Sequence, residues 1–146
     1  MSARILLVED ENIVAMEIAD LVQALGHGVC GVVSSGEDAI ARAADTSPDL
    51  ILMDIRLKGK VDGIQAAQHV HTHFDIPVVY LTAYADDGTV QRAKVTEPFG
   101  YLVKPFDEQQ LHTAIEMAIY KHRMEKKLRD REQWLATILE SIGEGV

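Results

Sequence analysis

Acidic, hydroxyl and ammonium side chains stand at the ends of short apolar runs. Glu9 and Asp10 follow "RILLV", Asp54 closes "LILMD", Thr82 closes "IPVVYLT" and Lys104 closes "GYLVK". A lone carboxylate in an apolar setting is costly. Carboxylates gathered at one point also raise one another's pKa unless a cation neutralises them. Mg²⁺ suits such a point, being a hard ion with oxygen ligands that keeps some waters and works alongside phosphate. Metal, ammonium and hydroxyl together can hold the outer oxygens of a phosphoryl group in transfer, and a carboxylate can accept that group as an aspartyl phosphate. The residue types therefore assign Asp54 as nucleophile, with Glu9, Asp10, Mg²⁺, Thr82 and Lys104 as its partners.

These residues need a scaffold that brings five strand ends together. Apolar runs at 4–8, 28–33, 50–54, 76–82 and 100–104 read as strands. Between them, Asp10–Leu25, "GEDAIARAA", Asp62–Phe74 and Asp86–Thr96 have helical spacing, and the pattern is helical again from Asp107 onward. Strands alternating with helices predict a parallel sheet with right-handed crossovers. The near-continuous apolar character of the runs fits a sheet covered on both faces. Such sheets bind ligands beyond the carboxyl ends of their strands, where the polar residues fall.

Composition narrows the function further. The chain has 146 residues, 47% hydrophobic and 25% charged, with 14 basic and 23 acidic side chains. The charge is uneven: residues 1–119 hold 8 Lys/Arg and 18 Asp/Glu, whereas 120–146 hold 6 and 5. An acidic body argues against nucleic acid as partner, because phosphate-backbone affinity needs clustered basic groups. The single cysteine, Cys30, leaves no disulfide within the chain and reads as a small core thiol. No signal-peptide pattern follows Met1, and no apolar run approaches the roughly 20 residues of a membrane span. The expectation is a reduced, cytoplasmic protein without membrane contact.

"ILLVEDE", "LILMDIRL", "VVYLTAY" and "YLVKPF" occur in order over roughly residues 3–122, and together they resemble the receiver domain of two-component response regulators. The resemblance implies a flavodoxin-like doubly wound sheet of strand order 2-1-3-4-5. It implies phosphotransfer to Asp54 from the histidine of a kinase or phosphotransfer protein. Mg²⁺ would be held by Asp10, Asp54 and the Arg56 carbonyl, with Glu9 acting through water. Thr82 and Lys104 would contact the phosphoryl group, and Tyr101 matches the family's switch aromatic, turning inward as Thr82 moves toward the phosphate. The surface formed by the fifth strand and the two helices flanking it would then change. The Lys104–Pro105 bond resembles the family's cis peptide. Arg56 and Tyr84 stand where the family tunes dephosphorylation, and bulky Tyr84 is expected to slow attack by water. One loop departs from the pattern: "RLKGKVDG" lacks the usual proline and is one residue longer before Asp62–Gly63.

Other readings compete. A haloacid-dehalogenase-type phosphatase would carry a second Asp where Arg56 stands, and a flavin carrier would not place "EDEN" after its first strand. A receiver-like interaction module that is never phosphorylated would be expected to lose Asp10, Asp54 or Lys104. As a fragment the chain is thus expected to be a phosphoacceptor with slow autodephosphorylation and no turnover of its own. His69, His71 and His73 read as a solvated helix face rather than a metal site, and "YKHRMEKK" around His122 lacks the context of a kinase phosphohistidine.

After the receiver-like 1–122, residues 123–141 read as a helical linker. Leu128, Leu135 and Ile142 recur every seven residues, with Met124 four before the first, Ile138 three after the second, and Arg131 interrupting the seam. That pattern predicts a helix paired with a copy of itself, giving a homodimer; the alternative is a lone amphipathic helix folded back on the body. "LATILESIGEGV" resembles the lead-in to a PAS sensor domain, with 142–146 as its start. This implies a larger parent, a PAS-containing hybrid sensor histidine kinase.

Overall fold

A computed structural model describes residues 2–57, 59–83 and 100–144. β3 (Leu50–Asp54) is buried along its whole length, because an apolar pentapeptide with side chains alternating to both faces is stable only between two layers. β1 (Arg4–Val8) lies beside it, and the five strands form one parallel sheet of order β2-β1-β3-β4-β5. β2 spans Gly28–Val33, β4 Val78–Ala83 and β5 Gly100–Lys104. The expected flavodoxin-like order is thus observed.

The period-2 alternation divides the core. Ile5, Leu7, Leu50, Leu52, Val79 and Leu81 face α1 (Asn12–Ala24) and the first turns of α4 (Glu108–Glu144), packing with Ile18, Val22, Leu111 and Ile115. Leu6, Val8, Ile51, Met53, Val78 and Tyr80 face α2 (Gly36–Thr46) and α3 (Gly63–Phe74), packing with Ala39, Ala43, Ile64, Ala67 and Val70. One frame of alternation in neighbouring strands therefore builds both halves of the core.

Several boundaries differ from the sequence expectation, each for a local reason. α1 begins at Asn12 rather than Asp10, because Glu11 is extended and takes the N-cap position without a side-chain cap; Asp10 thereby stays in the loop. β4 begins at Val78 rather than Ile76. Pro77 has no N–H to give the ladder, although its carbonyl accepts from Ile51 N at 3.0 Å. α2 continues to Thr46 and stops at Ser47, whose φ of 46° is left-handed. Asp62 caps α3 reciprocally with Gln65, at 2.9 and 3.0 Å. α4 is 37 residues long without a break at 122 or 141, about 55 Å at 1.5 Å per residue. The expected helix at Asp86–Thr96 lies outside the described residues.

Candidate functional site

The sheet's switch point lies between β1 and β3, which are neighbours although α1, β2 and α2 intervene in sequence. Crossovers leave β1 toward one side and β3 toward the other, so a crevice opens beyond these two strands. Into it come Glu9 and Asp10, just past β1, and Asp54, the last residue of β3. Each offers a carboxylate oxygen, and the three oxygens lie within 4.8 Å of one another. Among the described residues this is the one such grouping, and none forms around His69, His71 and His73. There the His69 and His73 rings stack at 4.1 Å and His73 Nδ1 contacts the His69 carbonyl at 3.0 Å.

Lys104, at the end of β5, reaches across β4 to the acidic group. Its Nζ donates to Glu9 Oε2 at 2.9 Å and to Asp54 Oδ2 at 3.2 Å. Glu9 is 2% exposed and Asp54 6%. Burial pushes the Glu9 carboxyl up to about 7; the Lys104 hydrogen bond works against this, and the neighbouring Asp54 adds to it. Burial would lower the Lys104 ammonium, but the two carboxylates outweigh it and hold its pKa above the ordinary value. The site thus holds more acid than one lysine neutralises, which is the electrostatic condition for taking up a further cation.

The backbone fixes Asp54 from below. Arg56 N donates to Asp54 Oδ1 at 3.0 Å, and Ile55 N donates to the Leu81 carbonyl at 3.1 Å. Gly63 N donates to the Ile55 carbonyl at 3.0 Å, drawing the start of α3 against this turn. A Cβ at Gly63 would collide with the Asp54 carbonyl oxygen and lie 2.9 Å from Ile55 Cα. Glycine is therefore required here by close approach. The preceding loop is tied down as well, since Glu37 Oε1 accepts from Val61 N at 2.8 Å. The sequence reads Asp62–Gly63 as the end of a loop and the start of a helix, not as a support for Asp54. The adjacent pair of a capping acid and a glycine was the available signal for this support.

Other expected residues take varied positions. Thr82 is buried, and its hydroxyl donates to the Ala83 carbonyl at 3.3 Å rather than toward the carboxylates. Tyr101 packs beside Tyr80, with ring centroids 6.0 Å apart. Its hydroxyl is buried with no hydrogen-bond partner among the described residues, and burial raises its pKa. The Lys104–Pro105 peptide is cis. Arg56 is exposed, and Tyr84 lies outside the described residues.

The acidic site is also chemically fit for Mg²⁺. Octahedral coordination at about 2.1 Å sets ligand oxygens roughly 3 to 4.2 Å apart, close to the spacing of the three carboxylates. A sheet of this order carrying acids and one lysine over its switch point defines a receiver of two-component signalling, a module whose general role is phosphoryl acceptance.

Comparison with known proteins agrees. The family model for the response regulator receiver domain matches residues 5–116. The transcriptional regulatory protein PdtaR of Mycobacterium tuberculosis is 35% identical over 120 residues, covering 82% of this chain and 58% of its own length. The phyllosphere-induced regulator PhyR of Methylorubrum extorquens is 33% identical over 121 residues, covering 82% of this chain and 45% of its own length. The chain thus spans about half the length of these curated relatives. Among solved structures, the signal receiver domain of a modulated diguanylate cyclase from Desulfovibrio desulfuricans G20 superposes with a TM-score of 0.81 at 39% identity, covering 86% of this chain and 99% of that one. The N-terminal domain of a response regulator/sensory box/GGDEF 3-domain protein from Carboxydothermus hydrogenoformans gives 0.76 at 35% identity, covering 84% and 98%. The chain belongs to the response regulator receiver domain family. No described helix is long and apolar enough to cross a membrane.

Proposed function

We propose that Asp54 accepts a phosphoryl group from the histidine of a kinase or phosphotransfer protein, and that the chain is a switch governed by that modification. The observation that carries this reading is the burial of Asp54 and Glu9 against a single lysine at the switch point. A structural ion pair would balance its charges, whereas an excess of acid around a held carboxylate suits a cation and an incoming phosphoryl group. In the transfer an Asp54 oxygen bonds to phosphorus as the donor's P–N bond breaks. The electron pair stays on the imidazole nitrogen, which takes up a proton.

Each partner has a role in this reading. Asp10, Asp54 and the Arg56 carbonyl would hold Mg²⁺, with Glu9 close enough to act through water, and the metal would supply neutralisation of charge on the phosphoryl oxygens. Lys104 exchanges its contact with Asp54 for one with the phosphoryl group. Thr82 turns its hydroxyl from the Ala83 carbonyl to a phosphoryl oxygen. Holding Thr82 there favours an inward Tyr101, so phosphorylation biases this ring through differential contact with Thr82. The surface formed by β5, α4 and the helix expected over Asp86–Thr96, which lies outside the described residues, follows, and the change passes along α4. Arg56 and Tyr84 tune the rate at which water removes the group.

The receiver occupies 1–122, the linker 123–141, and 142–146 begins a PAS-like module of a cytoplasmic sensor histidine kinase. The Leu135–Val146 resemblance supports the PAS-like module, as does a similar receiver that precedes a sensory box in a three-domain protein whose last domain is GGDEF rather than a kinase. Intact mass after incubation with acetyl phosphate and Mg²⁺ tests the central claim. The expected result is gain of one phosphoryl group, absent in Asp54→Asn and without metal. No gain from any donor would leave a receiver-like interaction module instead.

A further inference from the structure

Along α4, one face serves the receiver body and the opposite face serves nothing yet described. Leu111, Ile115 and Ala118 are fully buried against the sheet. Farther out the same face is held by Asp75, the left-handed residue that ends α3. Asp75 pairs with Arg129 at 2.8 Å and lies 3.4 Å from His122 Nε2, two residues separated by two helical turns. The helix therefore leaves the body with its rotation fixed.

About 135° around the helix, at 3.6 residues per turn, lies an exposed apolar line. Met117, Met124, Leu128, Leu135 and Ile142 are exposed along it. With Lys121, Leu128, Leu135 and Ile142 as heptad a positions, Met117, Met124, Arg131 and Ile138 occupy d, so two of the eight seam positions are basic. This frame explains two residues outside the seam. Trp134 is 62% exposed and Leu139 is 68% exposed; they fall at g and e, beside it. In a parallel pair of helices, g on one chain meets e on the other five residues later. That rule sets Trp134 against Leu139 of a second copy, and Lys127 against its Glu132.

We infer that α4 from Met117 to Ile142 forms a parallel, in-register, two-stranded coiled coil with a second copy of the chain. Charge complementarity and apolar complementarity select the same orientation and register. An antiparallel pair sets e against e and g against g, separating Lys127 from Glu132 and Trp134 from Leu139. Folding back on the chain's own body is opposed by the Asp75 contacts, which turn the seam outward. Arg131 limits the assembly to two strands: its long side chain can run out to water from a two-stranded seam, whereas a higher bundle would enclose it. The pairing stands on the helix alone and does not depend on phosphorylation of Asp54.

Sedimentation equilibrium of the full chain across micromolar concentrations tests it, with Asp54→Asn run alongside. A concentration-dependent dimer is expected in both. Leu128→Glu with Leu135→Glu should give monomer while far-ultraviolet circular dichroism retains the receiver signal, since both positions are exposed. Glu132→Lys should weaken the dimer roughly five- to tenfold by setting like charges at both symmetric contacts, and adding Lys127→Glu should restore it. A monomer throughout, a trimer or tetramer, or a dimer insensitive to the seam substitutions would overturn the inference. So would a charge swap that fails to restore pairing, or a chain that stays monomeric and sediments instead with anionic vesicles.

Discussion

Glu9 provides a direct test of the electrostatics of the site. Its carboxyl is almost fully buried, and burial holds its pKa at about 7 against an ordinary 4.5. Between those values the native chain binds a proton that the unfolded chain has released, so stability falls as pH rises through this window. Below pH 4.5 both states are protonated and the contribution is complete; above 7 it is lost. A shift of this size corresponds to about 3 kcal/mol. Glu9→Gln removes the titrating group while Lys104 keeps Asp54 at 3.2 Å. Urea unfolding in EDTA at pH 5, 6, 7 and 8 should show the variant close to wild type at pH 5 and more stable by up to about 3 kcal/mol at pH 8. His27, whose pKa is lowered by burial, titrates with the opposite sign, but it is common to both proteins and cancels in the difference. Saturating Mg²⁺ should flatten the wild-type dependence, because a bound cation favours the ionised carboxylates. Parallel pH profiles for the two proteins in EDTA would refute the reasoning: Glu9 would then be ionised throughout, with Lys104 alone neutralising it.

Two further outcomes follow from the supports around the site. Gly63→Ala sets a methyl group against the Asp54 carbonyl and Ile55 backbone, which cannot yield as a side-chain tip would; about 3 kcal/mol or more of stability should be lost in urea titration, and a loss under about 1 kcal/mol would mean that the loop relaxes freely. Asp75→Asn weakens the clamp on His122 and Arg129, so amide exchange over 122–130 should quicken while β1 and β3 amides stay protected. Unchanged exchange there would show that packing alone holds the helix.

Much of this architecture was legible because strand signals and site signals coincide. "LILMD" is both an uninterrupted apolar strand and the carrier of Asp54, so one pentapeptide indicates burial and chemistry together. Helix limits were less legible, because they depend on caps whose geometry is not local. Glu11 rather than Asp10 takes the N-cap position of α1, and the proline at 77 delays β4 by two residues. The histidines show the converse: His122 has no motif around it, yet it meets Asp75, 47 positions earlier.

The amino-acid pattern sufficed for the parallel α/β class, the burial of the strands on both faces, and the identities of the acids, hydroxyl and lysine at the strand ends. These follow from local properties, namely which residues are apolar, at what period, and which polar type ends each run. Only the folded chain shows that Lys104 bridges Glu9 and Asp54, that the Thr82 hydroxyl rests on Ala83, that Gly63 must be bare, and that Asp75 meets Arg129 of α4. Each of these joins groups through space, and the energy of a buried charge or a close contact depends on what the folded chain places beside it.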